Sequence, residues 1–147
     1  MPTYSFLDVN ASIVGPGGVF PLATDAAPAE EGVTIEMMED KDNMVIGADG
    51  EGQHNLHAGQ AGTMTFRFLK TSPTNARLSA MYNLQTISSA VHGQNTILIS
   101  NKATGDVTTG LQAAFRRQPN NGYAKDGAVI EWGFNCVRIF QQLGLGS

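Results

Sequence analysis

Thr63-Met64-Thr65-Phe66-Arg67-Phe68-Leu69 is the stretch of sequence that decides the fold. In an extended chain its large apolar side chains share one side: Met64, Phe66 and Phe68. The threonines and Arg67 fall on the opposite side. Strict alternation of this kind predicts a β-strand with one face in a core and the other face outside it.

Two further segments carry similar patterns. In the first segment, residues 107–116, the apolar side chains on one face are Val107, Leu111, Ala113 and Phe115. In the second segment, residues 130–136, they are Ile130, Trp132, Phe134 and Cys136. Residues 137–140 are then apolar on both faces, which predicts a strand end that is buried twice or lies in an interface. The shorter strand candidates are Ser5 to Val14, Val19 to Leu22, Val33 to Met38, Met44 to Ile46 and Thr96 to Ser100.

One segment, about residues 73–86, predicts a helix. Ser72 can cap it, and Pro73 suits a first helical position because the N–H that proline lacks would have no partner there. A stripe of side chains then recurs at helical spacing: Leu78, Met81, Tyr82 and Gln85. We therefore expect one amphipathic helix lying on a sheet.

The connections between strands are mostly short turns, with two long exceptions. Residues 33–46 predict a hairpin with its tip at Asp40 to Asn43, and a long polar stretch follows from Gly47 to Gly62. Ala23 to Gly32 lacks periodicity and predicts a surface excursion. Connections longer than about 12–15 residues are usually binding elements or disordered. The pattern as a whole predicts a single domain over residues 1–147, mainly β, with one helix lying on a sheet and a long arm, a hairpin and the loop after it, at about residues 33–62.

Charged residues are sorted along the chain. Residues 1–62 hold ten acids against Lys41 alone, a formal charge of −9, and residues 63–147 hold eight bases against three acids, a formal +5. If the two sets occupy different faces, one copy can meet the next head to tail. If the halves interleave in space, the sorting has no such consequence. Charged residues are only 15% of the chain, which favours association between copies.

No pattern predicts an active site, a cofactor or a metal. His54 and His57 lie near Asp49 and Glu51, but on a strand the two imidazoles point apart, and a zinc site needs three or four convergent ligands. Cys136 stands alone among aromatic residues, which is typical of an inert core thiol. The sequence pI near 5.2 argues against ordinary DNA or RNA binding. Neither a signal peptide nor an apolar run of membrane-spanning length is present, which predicts synthesis in the cytosol without membrane insertion.

An ordered set of stretches resembles a known family. They are Tyr4 to Ala11, Glu30 to Met37, Gly47 to Gly50, His57 to Gly59, Leu69 to Ala76, Gly93 to Ile97 and Tyr123 to Gly127. In this order they resemble the tail tube proteins of contractile-tailed bacteriophages, over almost the whole chain. No single motif is diagnostic; the ordered set carries the resemblance.

The resemblance implies an antiparallel β-sandwich or small barrel flanked by one helix, similar to the inner-tube protein of type VI secretion systems. It also implies a structural protein rather than an enzyme. It implies hexameric rings that stack head to tail around a lumen. Its expected partners are the sheath, the tape-measure protein, the baseplate and the tail terminator, and DNA passes through without sequence-specific binding. The expected location is the virion tail, assembled in the host cytoplasm.

On this reading the arm contributes contacts between subunits or rings. The candidate acidic contacts are Glu36, Glu39, Asp40, Asp42, Asp49 and Glu51. The candidate basic contacts are Arg67, Lys70, Arg77, Arg116, Arg117 and Arg138. Two other classes stay open from the residues alone: an enzyme that uses the two histidines and nearby acids, and a monomeric binding module whose long loop holds a ligand. The inner tube of another contractile injection system is a further alternative.

Overall fold

A computed structural model describes residues 8–23, 32–70, 72–123, 125 and 129–145. These contain nine strands and one helix. The strands are β1 (Val9–Gly15), β2 (Gly18–Ala23), β3 (Gly32–Met37), β4 (Asp42–Ile46), β5 (Gly52–Leu56), β6 (Gly62–Phe68), β7 (Asn95–Asn101), β8 (Asp106–Phe115) and β9 (Ile130–Gln142), and the helix is α1 (Thr74–Gln85). The fold is mainly β with antiparallel sheets and one helix, as the sequence predicts.

Seven strands form one antiparallel sheet, in the order β2-β1-β7-β8-β9-β6-β3. Strands β4 and β5 pair only with each other, in a separate hairpin. The large sheet curls around the core, since Val33 and Ile35 on the β3 edge pack against the same cluster as Val9 and Ile13 on β1. Among the described strands, β2 and β3 are the open edges of this sheet.

The alternation in β6 behaves as the sequence predicts. Met64, Phe66 and Phe68 are fully buried. They join a cluster of aromatic rings: Phe66 meets Phe134 edge-on at 5.8 Å between centroids, and Phe115 lies 4.7 Å from Phe134. Large aromatic contacts of this type dominate core energetics, which explains why this strand anchors the sheet.

The face predicted for β8 is wrong in its first half. Val107 is 45% exposed, while Thr108 and Gly110 on the alternate positions are buried. The register against β7 shifts between Asn95 and Ile97, and Gln112 adopts a φ of 51°. A bulge adds one residue and reverses which side faces the core, so Ala113 and Phe115 are buried beyond it.

In strand β9 the side that faces the core also changes at this level of the sheet. Cys136 and Ile139 are both buried, three residues apart, whereas Val137 and Phe140 are exposed. The stretch 137–140 is therefore not buried on both faces; its outward apolar side chains are left in solvent. Because β8 and β9 are paired here, both strands change the side that faces the core at the same level of the sheet.

Helix α1 closes one end of the core, close to the predicted bounds. Leu78, Met81 and Gln85 are buried, and the Tyr82 ring meets Phe115 edge-on at 5.6 Å. The helix begins at Thr74 with Pro73 as the cap residue, one position later than the sequence predicts. The Ser72 hydroxyl still accepts a hydrogen bond from the Thr74 N–H at 3.4 Å.

Residues 33–46 do not form the predicted hairpin. Strand β3 pairs with β6, and the chain between them leaves the sheet to form the β4–β5 hairpin. Asp40 to Asn43 consequently lies at the base of that hairpin, and the tip is the turn at residues 47–51, where Gly50 has a φ of 88°. Residues 24–31 of the excursion predicted from Ala23 to Gly32, and the start of the first strand candidate at Ser5, lie outside the described residues.

Candidate assembly surfaces

The arm, residues 38–61, leaves the sheet between β3 and β6. The Met38 N–H donates to the Ala61 carbonyl at 3.0 Å and closes its base. Further along, the His57 N–H donates to the Lys41 carbonyl at 2.9 Å and the Lys41 ammonium donates to the His57 carbonyl at 3.2 Å. At the tip, the Gly47 N–H donates to the Glu51 carbonyl at 2.8 Å. The arm is therefore held together by its own backbone.

The arm exposes large apolar side chains to solvent. They are Met38, Met44, Val45, Ile46 and Leu56, each more than half exposed and Leu56 86% exposed. None of them belongs to the core cluster. A two-stranded hairpin without a packed face is marginally stable in water, so this arrangement calls for a surface that covers it.

The arm also concentrates negative charge. It carries Glu39, Asp40, Asp42, Asp49 and Glu51 against Lys41, five acids and one base, a formal charge of −4. Asp49 is used locally, because its carboxylate accepts a hydrogen bond from the Glu51 N–H at 3.1 Å. The sixth predicted acid, Glu36, lies outside the arm and is exposed on β3.

The two arm histidines do not converge on a site. His54 Nδ1 lies 2.9 Å from Asp42 Oδ2, with both side chains exposed. Among the described residues no group of three or more His, Cys, Asp or Glu could hold a metal ion. Cys136 is buried in the core, and this burial raises its pKa to about 11, which keeps the thiol protonated.

The predicted basic residues are distributed over several surfaces. Arg67 pairs with Glu131 of the same chain at 3.0 Å and donates to the Thr34 hydroxyl at 2.9 Å. Lys70 donates to the Asn121 side chain and lies 4.1 Å from the centre of the Tyr123 ring. The exposed remainder are Arg77 on α1, Arg116 and Arg117 after β8, and Arg138 on β9. The bases therefore do not share one face, although most of the described acids do share the arm.

One outer side of the sheet is rich in exposed apolar groups. We call it the apolar face; it comprises the outward residues of β1, β2, β7, the first half of β8 and the second half of β9. Its exposed members are Val14, Val19, Leu98, Val107 and Phe140. Cross-strand pairing makes it continuous, since Ser12 lies opposite Leu98, Leu98 opposite Thr109, and Thr109 opposite Phe140.

The other outer side has a different composition. We call it the threonine face; it comprises the outward residues of β3, β6, the first half of β9 and the end of β8. Its uncharged members are Thr34, Thr63, Thr65, Ala114, Gly133 and Asn135. Thr63 lies opposite Asn135 and donates to its amide oxygen at 3.4 Å. No large apolar side chain points outward from these paired positions. Val137 follows Asn135 on the same side of β9 and is 55% exposed, and Val129, just before β9, is 41% exposed.

Sequence reasoning identified the acids of the arm but missed its apolar side chains. The signal was present at Met44 to Ile46, which is a short apolar run with no alternation. The exposure of Met44 to Ile46 could not be inferred from the sequence, because a short continuous apolar run is also typical of a fully buried strand. Val107 was missed for a different reason, since the bulge in β8 leaves no mark in the apolar pattern.

Among the described residues no helix is long and apolar enough to cross a bilayer. Residues 1–144 match the family described as Bacteriophage PhiTE tail tube protein. No curated protein matches in sequence. In fold the chain is similar to a chain of the PVC sheath-tube complex of an extracellular contractile injection system, in the extended state (TM-score 0.60, 15% identity, covering 96% of this chain and 92% of that one). It is also similar to a chain of the PVC sheath/tube terminator in the extended state (TM-score 0.60, 15% identity, covering 95% of this chain and 96% of that one). A chain of the anti-feeding prophage tube-terminating cap is similar as well (TM-score 0.56, 14% identity, covering 98% of this chain and 93% of that one).

Proposed function

The chain belongs to the bacteriophage PhiTE tail tube protein family, and we propose that its copies close into hexameric rings that stack head to tail into a hollow conduit for DNA during ejection. The coarser role follows from the family: the protein is a structural component of the phage tail tube, and not an enzyme. The ring order and the passage of DNA are the parts that belong to the proposal.

The observation that carries the proposal is the arm. It exposes five large apolar side chains and a formal charge of −4, and its two strands pair only with each other. A second feature supports it, because β2 and β3 are open edges that leave backbone N–H and C=O groups for another copy. In an isolated subunit both features leave apolar side chains or backbone groups exposed to water. In a polymer another copy can cover or pair with them.

We assign cohesion to the apolar groups of the arm and orientation to its acids. Burying one large aliphatic side chain contributes about 1.5–3 kcal/mol, whereas an exposed ion pair contributes about 0–1 kcal/mol. The surface that receives the arm is on another copy, and Arg138, which is exposed on the apolar face, is our first candidate partner for the acids. Heterologous contacts of this type produce rings or open stacks.

The proposed partners are the sheath, the tape-measure protein, the baseplate and the tail terminator, with DNA in the lumen. A second candidate is the inner tube of another contractile injection system, which the likeness in fold to such assemblies favours. The two differ in what the tube delivers. Nuclease-protected DNA in purified particles would support the phage tail, and its absence would support the second candidate.

Reversing the charge of the arm tests the proposal directly. The variant Glu39→Lys/Asp40→Lys/Asp42→Lys is expected to remain a folded subunit, because all three side chains are exposed, and to stop tube growth. Tube length is measured by negative-stain electron microscopy, and folding by circular dichroism. Tubes of unchanged length would contradict the role of the arm.

Two controls separate charge from shape. The variant Glu39→Gln/Asp40→Asn/Asp42→Asn keeps the size of the side chains and is expected to slow growth less than the lysine variant. Adding Arg138→Glu to the lysine variant should restore growth in part if Arg138 receives the arm. If the wild-type chain forms neither rings nor tubes at any concentration, the proposed function itself fails.

A further inference from the structure

We infer that the threonine face, and not the apolar face, lines the lumen. This inference rests on the proposed tube, and it names the surface of the chain that duplex DNA passes. It follows from a contrast in chemistry between the two outer sides of one folded sheet.

A wall that faces a water-filled channel has no need of exposed apolar groups. The apolar face exposes Val14, Val19, Leu98, Val107 and Phe140, each by 45% or more. Exposed apolar patches of this kind usually mark contacts with other proteins. The threonine face has Thr, Asn, Ala and Gly at its paired positions, which hydrate easily, and its exposed valines, Val129 and Val137, lie apart at the two ends of its β9 segment.

A lumen surface along which DNA passes must also bind its phosphates only weakly. Contacts between lysine or arginine and phosphate supply most of the nonspecific affinity of proteins for DNA, and a ring repeats every such contact. The charges on the threonine face are Glu36, Arg67, Arg116 and Glu131, two of each sign, so they cancel. Arg67 is held by Glu131 at 3.0 Å and by the Thr34 hydroxyl at 2.9 Å.

Arg116 is the remaining cation of this face. Its guanidinium lies flat over Gly133, at 3.1 Å from the position that a Cβ atom of that residue would occupy. Arg116, Glu131 and Gly133 line one surface pocket, together with Arg117 and Val129. The side chain is therefore laid along the sheet rather than extended into the space in front of it, which keeps the wall smooth.

The topology agrees with this assignment. The threonine face is carried by four adjacent strands, β8, β9, β6 and β3, and it ends at the open edge of β3. An open edge can continue the sheet into the next copy through backbone hydrogen bonds. The same strands can thus form an unbroken wall, while the apolar face stays on the other side of the core.

The test is to locate single cysteines in assembled tubes. Thr65→Cys lies on the threonine face, and Thr96→Cys is the matched variant on the other outer side. Wild-type tubes give the blank, because Cys136 is 2% exposed. Tubes are treated with a small biotin-maleimide, washed, and incubated with streptavidin, which is too large to follow the reagent along a narrow lumen.

Thr65→Cys tubes are expected to carry biotin, measured after dissolution in denaturant, and to bind streptavidin only at their ends. Streptavidin along the sides of these tubes would overturn the inference. So would a cysteine that is labelled in free subunits but not in tubes, because it would then lie between subunits. Thr96→Cys is expected to bind streptavidin along the sides or to remain unlabelled, and a pattern confined to the ends would contradict the assignment.

A gain of DNA retention gives a second readout. Tubes of Thr65→Arg are expected to hold about tenfold more short duplex DNA than wild-type tubes at low salt, in a form protected from nuclease and released at high salt. DNA bound to Thr96→Arg tubes should be digested. Nuclease-sensitive DNA on Thr65→Arg tubes would refute the lumen assignment while leaving tube formation intact. Failure of every variant and of the wild type to form tubes would instead refute the proposed function, and with it this inference.

Discussion

The pair of amides between α1 and β7 provides a sharp test of how the subunit is held together. Gln85 and Asn95 are fully buried. Gln85 Nε2 donates to Asn95 Oδ1 at 2.7 Å, and Asn95 Nδ2 donates to Gln85 Oε1 at 2.7 Å. Gln85 Nε2 also donates to the Pro16 carbonyl at 2.7 Å in the β1–β2 turn. One small network therefore connects the helix, the turn and the sheet.

Replacing Asn95 by alanine removes both reciprocal hydrogen bonds and leaves the Gln85 carbonyl oxygen buried without a partner. Each of the two lost bonds costs about 0.5–1.5 kcal/mol and the orphaned group about 1–3 kcal/mol, so we expect a loss of about 2–6 kcal/mol in the free energy of unfolding. That is a large part of the 5–15 kcal/mol that is typical of a domain. Gln85→Leu should cost a similar amount, because it orphans the Pro16 carbonyl and the Asn95 amide.

The assay is urea denaturation of the unassembled subunit, followed by the fluorescence of the single tryptophan. Trp132 is a suitable reporter because it is buried and its indole N–H donates to Asn75 at 3.1 Å. In the double variant the losses should fall short of their sum by about 1–3 kcal/mol, since the groups share partners. Single losses below about 0.5 kcal/mol, or strictly additive losses, would refute this account of the network.

Four further predictions follow from individual contacts. Gly62→Ala should destabilise the subunit by about 1–3 kcal/mol, because its Cβ would lie 2.5 Å from Ile139 Cδ1 and 2.7 Å from the Glu36 carbonyl oxygen; Gly122→Ala, with nothing within 4 Å, is the control and should be neutral in the same urea titration. Leu56→Ser should leave the stability of the subunit unchanged, because the side chain is 86% exposed, yet raise the protein concentration needed for tube growth in light scattering; an unchanged threshold would exclude Leu56 from the contact. Glu131→Gln should cost no more than about 1 kcal/mol despite the 3.0 Å bond to Arg67, because the pair is exposed, and a larger loss in thermal denaturation would contradict this view of it. Burial raises the pKa of Cys136 from 9.0 to about 11, so above pH 9 the unfolded state loses its proton first and the stability of the subunit should fall between pH 9 and 11, a fall that Cys136→Ala should lack.

The amino-acid sequence by itself determined the character of the elements. The alternation of Met64, Phe66 and Phe68 specified a half-buried strand, and the spacing of Leu78, Met81 and Gln85 specified the buried stripe of the helix, because these periods follow from backbone geometry. The sorting of acids into the first half of the chain was equally visible, and so was the family resemblance that the comparison with known proteins confirmed.

Only the tertiary structure decided which strands pair and which faces point outward. Residues 33–46 looked like a hairpin, but β3 pairs with β6, because strand partners are chosen by contacts remote in sequence. The bulge near Gln112 reverses one strand, and this reversal puts Val107 on the outside with Phe140. The same folding brings Thr34, Thr63 and Asn135 together on one wall. A pattern along the chain specifies the two sides of each strand, whereas the partner that covers either side is a property of three-dimensional packing.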